Sequence, residues 1–303
     1  MENIVFIHNG KSDYLGLAIQ QAKFLNPDHT IWLISDTQPD EPCIKLVQFI
    51  HLDEFKSTIK VLNDRYIHVA RTPIEFEKFC FQRWLILSEF AKRNNISRFV
   101  YLDSDVLVFD DLAKGFDIFS KFDFTVSRGM AGSCSFWNNT KALQDYCNYF
   151  MGFYNGTDHV LIDEFIEELR ASFKSEHTAW GMSDMYFLAS FTNTKKYKTG
   201  ESTLIIDDAT YDNNINCWQE TTPGFLRDPE KPLKLITWID GLPYGTRDDN
   251  NQLVRFRTLH MQGGAKFDLS EYMAASAYSA KDYPNTPIIH PQLCFEINKR
   301  FSK

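Results

Sequence analysis

The chain has 303 residues, 44% hydrophobic and 24% charged, a balance that excludes disordered, collagen-like and coiled-coil classes and suffices for one large domain or two small ones. A net charge of −8 without a long Lys/Arg run excludes a duplex nucleic-acid binder, which needs a basic footprint to displace counterions. No apolar run approaches the ~18 residues of a membrane span, and the amino terminus lacks a basic, then apolar, leader pattern, so neither a span nor a signal peptide is expected.

Six cysteines without a Cys-x-x-Cys pair indicate neither a zinc knuckle nor a disulfide framework, and read as buried thiols of a cytoplasmic protein. With 26 Phe, 13 Tyr and 6 Trp, the aromatic content suits a thick core first and sugar stacking second.

Residues 3–9 form a continuous apolar run ending in polar residues and Gly10, the pattern of a buried parallel strand. A helix follows, with Ser12 as N-cap, Leu15, Ala18, Ile19 and Ala22 on one face, and Asn26-Pro27 as its stop. Strands are expected at 30–35 and 46–52, so the chain alternates strand and helix as a parallel α/β sheet does. Thr72-Pro73-Ile74-Glu75 reads as a capping box opening a helix with Cys80, Trp84, Leu87 and Ala91 inward and an end at Asn94-Asn95. Residues 98–102 are a strand running into Asp103-Ser104-Asp105, and 106–109 continue apolar. Further strands are expected at 122–126 and 134–137, then a helix at 141–154 with Leu143, Tyr146, Cys147 and Phe150 inward. The second half is less periodic: a helix at 183–191, strands near 203–207 and 255–260, loops elsewhere, and a proline-bearing tail with a weakly basic end that permits at most peripheral membrane contact.

Two constellations can carry chemistry. Residues i and i+2 of an extended segment point the same way, so Asp103 and Asp105 can converge on a hard divalent cation at a strand's carboxyl end, where ligands gather in open α/β sheets. Alone, the triplet reads equally as two solvated turn aspartates. The second constellation, His260-Met261-Gln262-Gly263-Gly264-Ala265-Lys266, follows a strand-like run with the spacing His-x-x-Gly-x-x-Lys. It offers an imidazole ligand, glycines that let backbone N–H groups approach a phosphate, and an ammonium to neutralise it. Its bland reading is a strand-end histidine before a glycine turn.

Together, Tyr101-Leu102-Asp103-Ser104-Asp105-Val106-Leu107, the preceding helix with Arg83, and His260-x-x-Gly263-x-x-Lys266 resemble the GT-A glycosyltransferases. The likeness is greatest to family 8, the glycogenin and bacterial galactosyl- and glucosyltransferase group, over residues 1 to about 270. The resemblance implies a Rossmann-like GT-A fold with a mixed, mostly parallel sheet flanked by helices. It implies one catalytic domain, 1–270, with a nucleotide-sugar half at 1–112, an acceptor half at 113–270, and a wrapping tail at 271–303. It implies transfer of glucose or galactose from a UDP-sugar to a saccharide, protein or lipid-linked acceptor, retaining rather than inverting.

By the same resemblance Asp103, Asp105 and His260 hold manganese, with magnesium as second choice, on the donor diphosphate, and Lys266 and the Gly263 backbone contact the phosphates. Tyr14 packs on uracil, and His8, Asn9 and Ser104 line the donor site. Arg83 lies near the phosphates and sugar, although as a residue it reads equally as a helix-surface arginine. Asp184 matches the catalytic-site aspartate beside the acceptor; in an inverting enzyme it is the general base, and its bland reading is a helix N-terminal aspartate. The sequence departs from the family where Met185 replaces a glutamine and Phe267-Asp268 replace a Pro-Trp pair.

Two other readings use the same residues. In a haloacid-dehalogenase-like phosphohydrolase, Asp103 is a nucleophile, Asp105 a general acid and Asp207-Asp208 the late acidic pair. A non-catalytic nucleotide-sugar-binding protein keeps Tyr14 and the metal residues without turnover. Trp180, Trp218 and Trp238 suit sugar stacking or core packing.

Overall fold

The structure, a computed structural model, describes residues 1–41, 43–70, 72–128, 131–156, 163, 166–167, 181–216 and 224–277. Strands β1 (Asn3–His8), β2 (Thr30–Ser35), β3 (Gln48–His51), β4 (Phe99–Leu102), β6 (Phe124–Val126), β7 (Cys134–Trp137) and β8 (Thr199–Glu201) form a seven-stranded sheet in the order β3-β2-β1-β4-β7-β6-β8. The first four are parallel, β7 runs antiparallel to β4 and β6, and β8 is parallel to β6. The mixed, mostly parallel sheet that the resemblance implies is therefore what the chain forms.

The unbroken apolar runs follow from burial on both faces. Along β1, Val5 and Ile7 enter one core while Ile4 and Phe6 enter the other; along β4, Phe99 and Tyr101 divide from Val100 and Leu102 in the same way. Helix α1 (Asp13–Leu25) covers the second core with Leu15, Ala18, Ile19 and Ala22. Between β3 and β4 lie α2 (Lys56–Arg65) and α3 (Ile74–Arg93), and α3 covers the first core with Trp84, Leu87, Phe90 and Ala91. Helix α4 (Ala113–Ile118) packs Phe116 on Phe136, and α5 (Thr140–Asn155) buries the predicted Leu143, Tyr146, Cys147 and Phe150. Gly115 of α4 has no room for a side chain, since a Cβ would meet the Phe136 ring at 2.2 Å. Gly115→Ala should therefore cost about 1–3 kcal/mol by overpacking, read as a lower urea midpoint at unchanged slope.

A second sheet is built on β12 (Leu253–His260). It pairs with β5 (Val106–Val108), with the hairpin strand β11 (Leu242–Thr246), and in parallel with β9 (Ala209–Tyr211), while β10 (Ile236–Ile239) closes the far edge on β11. Helix α6 (Asp184–Asn193) is capped by Ser183, whose Oγ accepts from the Tyr186 N–H at 3.2 Å. Helix α7 (Leu269–Ala277) buries Leu269 and Met273 in a third core with Leu107, Phe109 and Met261, against Tyr14 and Leu17 of α1.

Several expectations shift. Pro73 is extended at φ −58°, ψ 141°, so α3 starts at Ile74; the Thr72 hydroxyl donates to Glu77 at 2.5 Å, and Glu75, no partner in a capping box, pairs with Lys78. Residues 203–207 form a turn, not a strand, with Asp207 and Asp208 at φ 53° and 52°, left-handed angles that aspartate tolerates; the strands lie either side as β8 and β9. The boundary placed at 271 falls inside α7, and the rest of the expected tail, 278–303, lies outside the described residues.

Candidate metal and phosphate centre

The parallel strands β1 and β4 end side by side, which sets His8 and the Asp103-Ser104-Asp105 turn at the carboxyl edge of the sheet. The turn is closed by the Val106 N–H on the Asp103 carbonyl at 3.0 Å and tied to β7 by the Asp103 N–H on the Ser133 carbonyl at 2.8 Å. Past the turn β5 pairs antiparallel with β12, His260 opposite Val106, which brings a residue distant in sequence onto the two aspartates. Ligand atoms of Asp103, Asp105 and His260 lie within 4.8 Å of one another. His260 Nε2 is 3.4 Å from Asp105 Oδ1 and 4.0 Å from Asp103 Oδ2.

The surroundings fix which atoms face inward. His260 Nδ1 is 2.6 Å from the Asn213 carbonyl, which can only accept, so Nδ1 donates and Nε2 is turned to the carboxylates. Asp103 Oδ1 accepts from the Tyr101 hydroxyl at 2.6 Å and from Arg83 at 2.8 Å, leaving Oδ2 toward His260. Lys266 lies in a 3-10 turn at Gly263–Asp268, with Nζ 3.2 Å from Asp105 Oδ2. Gly263 opens that turn at φ +63° with open space where a Cβ would be, so conformation rather than crowding calls for glycine.

The charges balance locally. Burial pushes the Asp105 carboxyl up, but His260 and Lys266 outweigh it and hold the group at about 2. Burial opposes charge on His260, yet Asp105 prevails and pushes the imidazole up to about 9; Lys266 is likewise raised against its burial by Asp105. A proton and a cation therefore compete for His260 Nε2.

On the β1 side, buried His8 bridges two hydroxyls, Nδ1 at 2.9 Å from Ser104 Oγ and Nε2 at 3.2 Å from Ser12 Oγ. Burial lowers its pKa and so favours the neutral ring. The Tyr14 ring meets His8 edge-on at 6.0 Å, and Lys266 Nζ stands 5.2 Å from the Tyr14 ring centre. Asn9 is exposed just beyond β1, outside these contacts.

Arg83 is no helix-surface arginine: its side chain is 13% exposed and forks between Asp103 and, at 2.6 Å, Asp184 Oδ2. The same oxygen accepts from Trp84 Nε1 at 2.8 Å, and the Asp184 carbonyl accepts from the Tyr146 hydroxyl. Asp184, buried at the start of α6, is thus joined through Arg83 to Asp103, while Met185 beside it is exposed. From the sequence Trp84 was expected only as an inward core residue and Tyr101 only as part of the strand before Asp103; their hydrogen bonds to Asp184 and Asp103 were not foreseen. Strand alternation could have found Tyr101, two residues before Asp103 on the same face.

Asp207 and Asp208 do not join the centre; both are exposed, and Asp208 accepts from Gln252. Among the described residues the only group of His, Cys, Asp and Glu set to share a metal is Asp103, Asp105 and His260. Trp238 packs on Phe109 and Tyr272 in the third core, while Trp180 and Trp218 lie outside the described residues. Cys43, Cys80, Cys134 and Cys147 are free thiols, and no described helix is long and apolar enough to cross a membrane.

No family model and no curated protein matches the chain. Among solved structures it is similar to the galactosyltransferase LgtC in complex with donor and acceptor sugar analogues, at 13% identity over 96% of this chain and 99% of that one, TM-score 0.44. It is also similar to mouse xyloside xylosyltransferase 1 in its apo form, at 8% identity over 66% and 84% of the two chains, TM-score 0.43. The glycosyltransferase GlyE of Streptococcus pneumoniae TIGR4 gives 14% identity, 67% and 45% coverage and a TM-score of 0.35.

Proposed function

We propose that the chain is a metal-dependent glycosyltransferase that moves glucose or galactose from a UDP-sugar to a saccharide, protein or lipid-linked acceptor, with retention at the anomeric carbon. One observation carries the reading: two carboxylates, an imidazole anchored through its other nitrogen, and a lysine ammonium converge at the carboxyl edge of a mostly parallel sheet. The mixed oxygen and nitrogen donor set fits manganese better than magnesium, which prefers oxygens alone and keeps its waters. Bound there, the cation supplies Lewis-acid stabilisation of the negative charge developing on the departing diphosphate.

The chain's own groups do the rest. Lys266 leaves Asp105 for the diphosphate and adds its charge to the same oxygens. Tyr14, edge-on to His8, would offer a ring face to the base, and His8, Ser104 and Asn9 would line the same nucleotide site. Arg83 presents a guanidinium held from both sides toward the sugar, and Asp184 supplies the carboxylate on the acceptor side of it. Residues 1–112 carry the donor and 113–270 the acceptor within one catalytic domain, although the second half lends His260 and Lys266 to the donor. The free thiols are in keeping with a cytoplasmic enzyme.

The test is nucleotide release from UDP-, GDP- and CMP-sugars with manganese, magnesium or EDTA and no acceptor. UDP-glucose or UDP-galactose should turn over only with metal. Absence of both turnover and metal-dependent binding across the panel would overturn the reading, and phosphate release from a simple phosphate ester would replace it with phosphohydrolysis.

A further inference from the structure

We infer that Asp212, with Lys234 as its counter-ion, is a positioning residue for His260. By accepting the backbone N–H of this ligand it anchors the strand end at which the neighbouring Asn213 carbonyl fixes the imidazole. The inference rests on the metal reading above.

The arrangement begins in the sheet. Strand β9 runs parallel to β12 with Ala209 opposite Arg255 and Thr210 opposite Phe256, and then the register slips so that Tyr211 faces Thr258. Beyond the slip the Asp212 N–H reaches the Thr258 carbonyl at 3.3 Å, and the His260 N–H goes to a side chain, Asp212 Oδ2, at 3.1 Å. The side chain of Asp212 thus holds the main chain of His260 next to the carbonyl that meets its ring. Beside it Asn213 accepts from Nδ1 at 2.6 Å, and Nε2 is presented to Asp103 and Asp105. The same segment continues its grip: the Ile215 N–H donates to the His260 carbonyl at 3.0 Å, and Asn216 Nδ2 donates to the Gln262 carbonyl at 2.6 Å. His260 is thus held at its N–H, its ring and its carbonyl by residues 212–215.

The Asp212 side chain is wholly buried, and a lone carboxylate there would be too costly to keep charged. Lys234, itself 4% exposed, bonds its Oδ1, and the Lys234 N–H donates to the Ile215 carbonyl at 2.8 Å, so the counter-ion is moored to the segment it neutralises.

A buried ion pair is often structural only, and two apolar residues of similar volume can replace it without loss of fold. The test separates the charge from the hydrogen-bond acceptor. Asp212→Asn/Lys234→Met removes both charges and keeps a carbonyl oxygen for the His260 N–H; Asp212→Leu/Lys234→Met removes both charges and the acceptor. Manganese affinity is read from the electron paramagnetic resonance signal of free Mn²⁺, beside the melting temperature of each protein. The asparagine pair should bind within about threefold of wild type and the leucine pair about 10–100-fold more weakly at a similar melting temperature. If the leucine pair does not fold, Asp212→Ala/Lys234→Met takes its place and is read in the same way. Equal affinity in both pairs, or losses that follow melting temperature alone, would overturn the inference while leaving the metal reading intact. A wild-type protein that binds no manganese would overturn the reading beneath it.

Discussion

Asp105→Ala should lower metal-dependent UDP release by at least about a thousandfold, and Asp103→Ala should do so nearly as strongly. A metal that stabilises a developing diphosphate charge supplies several kcal/mol, and each ~1.4 kcal/mol is tenfold in rate. Asp105 is the more exacting position because His260 Nε2 and Lys266 Nζ both lean on it, at 3.4 and 3.2 Å. Without it, an imidazole and an ammonium face the cation with one carboxylate between them. Asp103→Ala removes a ligand oxygen and also releases one arm of the Arg83 fork, the other staying on Asp184. Manganese titration and circular dichroism on each variant separate loss of the metal from loss of fold. Release within about threefold of wild type, in a folded variant, would sink the metal assignment. His260→Ala belongs to the same series, and a change in stability alone would withdraw it from the ligand set.

The amino-terminal half was legible because its signals are local. Continuous apolar strands, the stripe of Leu143, Tyr146, Cys147 and Phe150, and the Asn26-Pro27 stop each decide their own element within a few residues. The metal residues were legible for a different reason: Asp103 and Asp105 share a face by spacing, and His260 ends a strand before a glycine turn. That His260 lies on them is set by the pairing of β5 with β12, which no short window contains. The hairpin of β10 and β11 was read as loop, although Asp240-Gly241 at φ 50° and 75° is a two-residue turn signal between apolar runs. Its strands are short, β10 exposed on one face and half-buried on the other, and β11 carries Pro243 and Gly245 at its buried positions. Asp212 and Asn213 carried no signal, since their task depends on a register slip that only the folded sheet displays.

Arg83→Lys should leave manganese binding within a few fold of wild type yet lower transfer by about a hundredfold. The guanidinium gives one nitrogen to Asp103 at 2.8 Å and another to Asp184 at 2.6 Å, a fork that an ammonium, as a point charge, cannot reproduce at both ends. Lysine keeps a cation in the buried space, so Asp184 is not left as a lone charge and the fold survives. Arg83→Ala does leave it so, and should cost about 3–5 kcal/mol of stability. Asp184→Asn tests the other end of the fork. It keeps an acceptor for Trp84 Nε1 and removes the charge, so UDP-sugar binding should persist while transfer falls. If Arg83→Lys and Asp184→Asn both transfer at the wild-type rate, the fork is a structural tie between α3 and α6 and Asp184 has no part in the chemistry. If both lose transfer but keep donor and metal, the line from Asp184 through Arg83 to Asp103 is what sets the sugar against its acceptor.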